Sequence, residues 1–320
     1  MNNDFNSTKA LKEKLVSIMF DLVTVGHFTI DQITIDETRF DSILGGPPTY
    51  SSLAAKKLGA NVSVISKVGD DFPRLFIDFL RNSGIDLDGL SIVKSCPTTS
   101  FALTYKGDER VVQLIKRCEP IYPDDVPNSI KSKAVHLGPV AGELPAETIS
   151  RLSEVTELIS LDPQGLVRSF NGEGIATLTT PLNIMLEKVK IFKSSEQELM
   201  ATAGVNDLLK SVAKIRNAGP EIVLITKGAH GVSLFLEGMQ YEVPSFKPPK
   251  IVDYTGAGDV FIGAFMTHYL KEDHPLWCAA IGSAAASFVI EGLGPSRFGE
   301  SSEVLERANT IYNKVKKITF

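Results

Sequence analysis

Short apolar runs that read as buried strands alternate with helix-spaced stretches along most of this 320-residue chain, and that alternation limits the available folds more than any other feature. Strand candidates fall at 20–26 (FDLVTVG), 61–66 (NVSVIS), 134–138 (AVHLG), 158–161 (LISL), 189–192 (VKIF) and 222–226 (IVLIT). Helix-spaced stretches fall at 49–58, 72–82, 145–157, 195–203, 206–217, 256–270, 275–291 and 301–316. A strand that is apolar on every residue needs cover on both faces, and an intervening helix supplies it while returning the chain to begin a parallel strand. The spacing therefore predicts an α/β fold with a mainly parallel sheet between helices.

Two segments depart from the rhythm. Residues 29–44 (TIDQITIDETRFDSIL) alternate polar and apolar side chains with no helix signal, and 98–117 reads as two strands, 99–105 and 110–116, joined by KGDE at 106–109. The Gly-Asp centre suits a hairpin turn. Period-two alternation leaves one face wet or turned to a ligand, so a small second sheet from about 29–46 and 98–117 is expected over the main domain as a lid. No internal repeat or low-complexity linker interrupts the chain, which predicts one domain over 18–320 and an N-terminal extension, 1–17, without an assigned role.

Hydrophobic content of 43%, charged content of 22% and a net charge of −5 describe a globular protein, and no basic stripe suggests a nucleic-acid partner. The three cysteines, Cys96, Cys118 and Cys278, lack metal-ligand spacing and read as ordinary thiols in a reducing compartment. The N-terminus lacks the apolar core of a secretory signal, and no run approaches the roughly 18 apolar residues of a membrane span. A cytoplasmic location with no membrane partner is expected. The basic cluster at 314–317 (KVKK) reads as the solvated end of the last helix.

The chemistry concentrates at 253–261 (DYTGAGDVF), where Gly-Ala-Gly stands at a helix start and Asp259 lies in the first turn. A helix start carries unpartnered N–H groups and partial positive charge, so it favours an anion, and small residues let a phosphate oxygen approach. A carboxylate beside that phosphate serves best as a proton acceptor for the attacking group. The run reads as an anion hole, Gly256, Ala257 and Gly258, with Asp259 as general base.

DYTGAGDVFIGAF resembles the C-terminal signature of the ribokinase (PfkB) family of carbohydrate kinases, DTxGAGD, with Tyr254 standing where the family usually has Thr. The family's N-terminal signature is matched by 44–54 (LGGPPTYSSLA), followed by 58–60 (LGA) and 66–71 (SKVGDD). The resemblance runs from about 20 to 298. It implies a ribokinase-like three-layer α/β/α fold with a small β-sheet lid, ATP and magnesium as cofactors, and phosphoryl transfer to an alcohol. It implies that Asp259 deprotonates the acceptor hydroxyl, that Asp31 hydrogen-bonds substrate hydroxyls, and that Gly45 and Gly46 let the lid bend and the backbone approach the substrate. Glu198 matches an acid linked to magnesium through water, and Ser195 replaces the usual Asn. Read alone, 193–198 is a helix N-cap with acids in its first turn. Thr226, Gly228 and Gly231 match the turn against the nucleotide phosphates, and Ser283 stands where an Asn often touches the adenine edge. Asp253 and Thr255, with oxygens from 292–296, match positions that hold a monovalent cation such as potassium in several relatives.

Stretches 109–121, 124–127, 142–148 and 162–168 are similar to the inositol-kinase-like branch of plants and archaea, which implies myo-inositol as acceptor. Gln164 and Arg168 join Asp31 and Asp259 as hydrogen-bonding candidates for a ring of hydroxyls. A nucleoside acceptor stays open, because Phe28, Tyr50 and Phe101 could form a base slot, as do ribose, fructose, 2-keto-3-deoxygluconate and a non-catalytic binding role. Arg168 could equally meet a nucleotide phosphate or a surface acid, and His27 reads as a packing residue. Exposed edges of a lid sheet make a homodimer through the lid plausible.

Overall fold

The computed structural model describes residues 19–106, 109–181 and 184–318. In chain order the elements are β1 (Met19–Val25), β2 (Thr29–Ile35), β3 (Thr38–Gly45), α1 (Pro47–Lys57), β4 (Val62–Gly69), α2 (Arg74–Asn82), β5 (Asp86–Val93), β6 (Ser100–Lys106) and β7 (Glu109–Lys116). There follow β8 (Lys131–Leu137), α3 (Ala146–Leu152), β9 (Ile159–Leu161), α4 (Gln164–Val167), β10 (Arg168–Phe170), β11 (Ala176–Leu178), β12 (Ile191–Ser195), α5 (Glu196–Ala203) and α6 (Leu208–Asn217). The chain closes with β13 (Ile222–Thr226), β14 (Val232–Leu236), β15 (Met239–Val243), α7 (Ala257–Tyr269), α8 (Pro275–Val289), α9 (Ser301–Tyr312) and β16 (Lys316–Ile318).

One large sheet runs β16-β15-β14-β13-β12-β9-β8-β1-β4-β5. It is parallel from β5 to β13 and antiparallel through β14, β15 and β16. Its strands send alternate side chains to opposite faces. Leu22, Ala134, Ile222 and Leu224 join a core beneath α1, α2, α7, α8 and α9. Their neighbours Val23, Val135, Val223 and Ile225 join a second core beneath α3, α5 and α6. The expected three layers follow from that alternation.

The small sheet runs β3-β2-β6-β7, with antiparallel pairs at its two ends and a parallel pair in the middle. Residues 29–44, expected as one alternating stretch, are a hairpin that turns at Asp36 with φ +53° and carries a register shift between Asp31 and Ile33. Gly107 and Asp108 of the expected turn, and the extension 1–17, lie outside the described residues.

Several boundaries differ from the sequence expectation. The helix expected over 145–157 stops at Leu152, and the one expected over 301–316 stops at Tyr312. Lys316 and Lys317 then belong to an edge strand paired with β15 rather than to a helix end. Strands β5, β14 and β15 were not foreseen. β5 carries two aspartates and Gly89, because it is an edge strand, and its backbone comes so close to β4 that a Cβ at Gly89 would lie 2.6 Å from the Val64 carbonyl oxygen.

Helices α1 and α7 cross where a Cβ on Gly263 would sit 2.3 Å from the Ser51 carbonyl oxygen. Helix interiors penalise glycine, so its value here is the close approach it permits. Gly263→Ala should force the two helices apart and lower stability by about 1–3 kcal/mol. Chemical denaturation should show a reduced midpoint, and an unchanged midpoint would refute the close crossing.

Candidate active site

The parallel strands direct their carboxyl ends toward the small sheet, so the loops after β1, β8, β9, β12 and β13 share one crevice with the start of α7. Ligands of open α/β sheets bind at such an edge. Gly256 is the N-cap of α7 with φ +78°, and no side chain caps this helix. A Cβ on Gly256 would lie 2.3 Å from the ring of Tyr50, which α1 brings up from below. Two constraints, left-handed backbone and contact with an aromatic face, therefore require glycine there. Of the first-turn amides, Ala257 N–H donates to the Tyr254 carbonyl at 3.3 Å and Asp259 N–H to that of Gly256 at 3.0 Å. The expected three-residue anion hole thus narrows: the Ala257 amide is partly engaged, whereas Gly258 has no backbone acceptor among the described hydrogen bonds.

Beneath Gly258 stands a cation that sequence reasoning missed. Lys193, on β12, is buried and pairs with Asp162 at 2.5 Å, and a Cβ on Gly258 would lie 2.6 Å from its Nζ. Burial opposes its charge, but Asp162 and Asp259 together hold its pKa above the ordinary lysine value. An ammonium and a helix start thus converge on one point, and both carry the positive charge that favours an anion.

A cavity of about 290 Å³ opens in front of this point, and Asp31, Gly46, Tyr50, Phe101, Gln164, Arg168, Ser195, Glu198, Thr226, Thr255, Gly256, Ala257, Gly258 and Asp259 all line it. Gln164 donates toward Asp259 Oδ1 at 3.5 Å. Burial raises Asp259 to about 6, against the pull of Lys193, Arg168 and Arg110. Asp31 is raised to about 7 by burial, although Thr29 Oγ1 at 2.9 Å and the Phe101 N–H at 3.2 Å both donate to it. Two carboxylates with raised values in one cleft mark a functional-site candidate.

Several expected residues occupy roles of their own. Gly45 does not line the cavity; a Cβ there would strike Asp31 Oδ2 at 2.1 Å, so it makes room for that carboxylate. Glu198 closes a capping box with Ser195, accepting from its N–H at 2.9 Å and its Oγ at 2.8 Å, while its other oxygen faces Arg168 at 3.7 Å. Asp253 lies outside the cavity lining. Its Oδ1 accepts from the N–H and Oγ1 of Thr255 at 2.9 and 2.7 Å, and its Oδ2 from the Gly294 N–H at 3.0 Å. Phe28 and His27 are buried away from the cavity, Phe28 in the core and His27 with its ring nitrogens against Thr99 Oγ1 and the Glu119 carbonyl. Besides Lys193, the residues missed were Asp162, its partner, and Arg110, which reaches in from β7. Both lie in stretches marked as distinctive, yet a charge on a strand end announces its partner only in three dimensions.

A second cavity, about 200 Å³, meets the first at Thr226, Tyr254, Ala257 and Gly258. Gly228, Gly231 and Ser283 line it, and its walls are largely apolar, from Phe246, Pro248, Ile251, Phe261 and Ile290. Ser283 Oγ is buried there without a hydrogen-bond partner.

The model of the pfkB family carbohydrate kinases matches residues 15–300. The chain belongs to this family. It is an enzyme that transfers a phosphoryl group to a hydroxyl, and its fold is ribokinase-like. It is 26% identical to a cytidine kinase of Thermococcus kodakarensis, over 86% of this chain and 98% of that one. It is 28% identical to an inositol 3-kinase of Oryza sativa subsp. japonica, over 89% and 73% of the two chains. Among solved structures, a pyrophosphate-dependent kinase of the ribokinase family, complexed with a pyrophosphate analog and myo-inositol, superposes with a TM-score of 0.74. That alignment is 27% identical and covers 89% of this chain and 99% of the other. Among the described residues of this family member, no helix is long and apolar enough to cross a membrane.

The raised carboxylates carry a stability cost with a definite sign. Asp31 and Asp259 hold their protons in the folded chain at pH values where the unfolded chain, with ordinary values of 3.8, has released them. Their contribution therefore becomes unfavourable as pH rises from about 4 to about 7, and stays so above. Asp31→Asn keeps an acceptor for Phe101 and a partner for Thr29 without the charge. It should raise thermal stability at pH 8, by an amount on the order of 2–4 kcal/mol, and change it little at pH 4. Equal shifts at both pH values in calorimetry would contradict the assigned burial cost.

Proposed function

We propose that this kinase transfers the terminal phosphoryl group of ATP to one hydroxyl of a small polyol or sugar, with myo-inositol as the acceptor. The observation that carries the reading is the convergence of Asp259, the α7 start and Lys193 in a single cleft. The acceptor hydroxyl gives its proton to Asp259 as its oxygen attacks the terminal phosphorus in line. Charge on the equatorial oxygens falls on the Gly258 amide and on Lys193, while the diphosphate leaves toward the second cavity. Catalysis here is positioning plus fixed electrostatics. The small sheet acts as a lid that excludes water from the transfer.

For the acceptor, Thr29, Asp31, Arg110, Gln164 and Arg168 surround the cavity with hydrogen-bonding groups suited to an uncharged ring of hydroxyls. The rice inositol 3-kinase and the myo-inositol complex support the same choice. A second reading, a nucleoside acceptor, draws on the apolar wall of Phe101, Leu103, Val112 and Val140 and on the cytidine kinase, matched over nearly its whole length. For the donor, the apolar second cavity with the unpartnered Ser283 hydroxyl fits a nucleobase, which bare pyrophosphate lacks.

Among the described residues no group of three His, Cys, Asp or Glu converges to hold a metal. Magnesium would therefore rest mainly on the donor phosphates and water, with Glu198 as an outer contact, and would neutralise phosphate charge. Potassium would meet main-chain oxygens near 253–255 and 292–296, because the Asp253 carboxylate already accepts three hydrogen bonds.

Asp259→Asn should fold and bind ATP while turnover falls by about 10²–10⁴-fold; near-normal turnover would sink the base assignment. In the wild type, turnover should decline as pH drops through about 6, where Asp259 takes up its proton. An acceptor screen over myo-inositol, ribose, fructose, 2-keto-3-deoxygluconate and nucleosides, run with ATP and with pyrophosphate, decides the rest. Activity with nucleosides alone moves the acceptor to the second reading, and activity with pyrophosphate alone overturns the nucleotide donor.

A further inference from the structure

Of the four crossings between the small sheet and the main domain, three, at 27–29, 96–100 and 116–119, are tied together at one place. Thr99 Oγ1 accepts the Cys118 N–H at 2.9 Å and lies 2.8 Å from His27 Nδ1, while His27 Nε2 lies 3.0 Å from the Glu119 carbonyl. The 96–98 segment is held from its other side. Thr98 N–H donates to Asp71 at 2.7 Å, Thr98 Oγ1 accepts the Gly69 N–H at 3.0 Å, and a Cβ on Gly69 would lie 2.0 Å from the Cys96 carbonyl oxygen. Ser95, just before, takes φ +58° and donates its N–H to Asp70 at 3.0 Å. Both cysteine backbones at the root of the β6–β7 hairpin are thus fixed, and their sulfurs lie 3.6 Å apart.

A bonded pair would need sulfurs at about 2.05 Å, so the two thiols stand in contact about 1.5 Å short of a bond. The two thiols also differ as such chemistry requires. Cys96 is partly exposed and open to a reagent, whereas Cys118 is buried behind it. Burial, and then Cys96 itself, push the Cys118 thiol up to about 12, so it is not the first to react. The third thiol, Cys278, is buried on α8 and turned toward the Asp273 carbonyl at 3.4 Å.

We propose that Cys96 and Cys118 form a reversible redox-modification site, in which a disulfide staples the two legs of the lid hairpin at its root. With a low-molecular-weight disulfide RSSR as oxidant, the Cys96 thiolate attacks one sulfur, the RS–SR bond breaks, and RS⁻ leaves. The Cys118 sulfur then attacks Cys96 Sγ in the mixed disulfide, the Cys96–SR bond breaks, and the Cys118 proton ends on the second departing thiol. Two protein thiols are oxidised and one RSSR is reduced to two RSH. The three cysteines are accordingly not equivalent thiols, as composition alone suggested. The crosslink stands by itself; its effect on turnover rests on the small sheet acting as the lid proposed above.

The test uses the full chain incubated with glutathione disulfide. Expected are an intact mass lower by two hydrogens, one remaining titratable thiol and a mapped peptide pair joining Cys96 to Cys118. Amide exchange across β2, β3, β6 and β7 should slow, and turnover should fall several-fold and return with dithiothreitol. Cys96→Ser should keep basal turnover and lose sensitivity to the oxidant, and Cys118→Ala provides the same check if that variant folds poorly. A persistent glutathione adduct on Cys96, or a bridge to Cys278, overturns the site. A correct bridge with unchanged lid exchange and turnover overturns its role as a staple while leaving the phosphoryl-transfer reading untouched.

Discussion

Everything the cleft does depends on how closely α7 lies against α1. Gly263 admits the Ser51 carbonyl and Gly256 admits the ring of Tyr50, so the start of α7 is set at a fixed height above the strand ends. From that height its uncapped amides face the crevice, and Asp259 enters the same space as Gln164 and Lys193. A larger residue at either glycine would move the helix start relative to β12. The helix start and Asp259 would then shift relative to Lys193, and the groups that line the cavity would no longer face one point.

The surroundings of that focus are assembled against the preference of the core. Lys193 and Asp162 are both removed from water and pair at 2.5 Å, and against the cost of burial Asp162 and Asp259 together hold the lysine pKa above its ordinary value. Breaking such a pair leaves a buried charge, which costs far more than the pair contributes. Asp31 and Asp259 lack so close a cation, and burial raises both. Burying these two carboxylates therefore costs stability, which is lost as pH rises from about 4 to about 7. The small sheet contributes to this balance, since Arg110 enters the same cavity from β7 and opposes the rise of both carboxylates.

Much of the architecture was legible because burial dictates it. Strands such as IVLIT at 222–226 are apolar on both faces, and only a sheet covered on both sides accommodates them. The elements missed were those whose sequence answers to an edge or a turn instead. β5 and β16 carry charged residues because one side of each meets solvent, and β14 and β15 reverse direction in a region where alternation had been parallel. Of the site, DYTGAGD was readable since its glycines have a local cause, a helix start. Gly45 clears space for the Asp31 carboxylate, a relation that the sequence could not show because it arises only when the β2–β3 hairpin sets Gly45 opposite Thr29, two residues before Asp31.

By itself, the sequence determined the layer order and the location of the family's C-terminal signature, because each follows from local periodicity or a short motif. The tertiary structure alone decided which polar side chains stand together. Lys193 and Asp162 are separated by 31 positions, Asp259 and Gln164 by 95, and Cys96 and Cys118 by 22. No local pattern couples such pairs. They meet because parallel strands place their carboxyl ends along one edge, and because the roots of a hairpin must come together where it leaves the sheet.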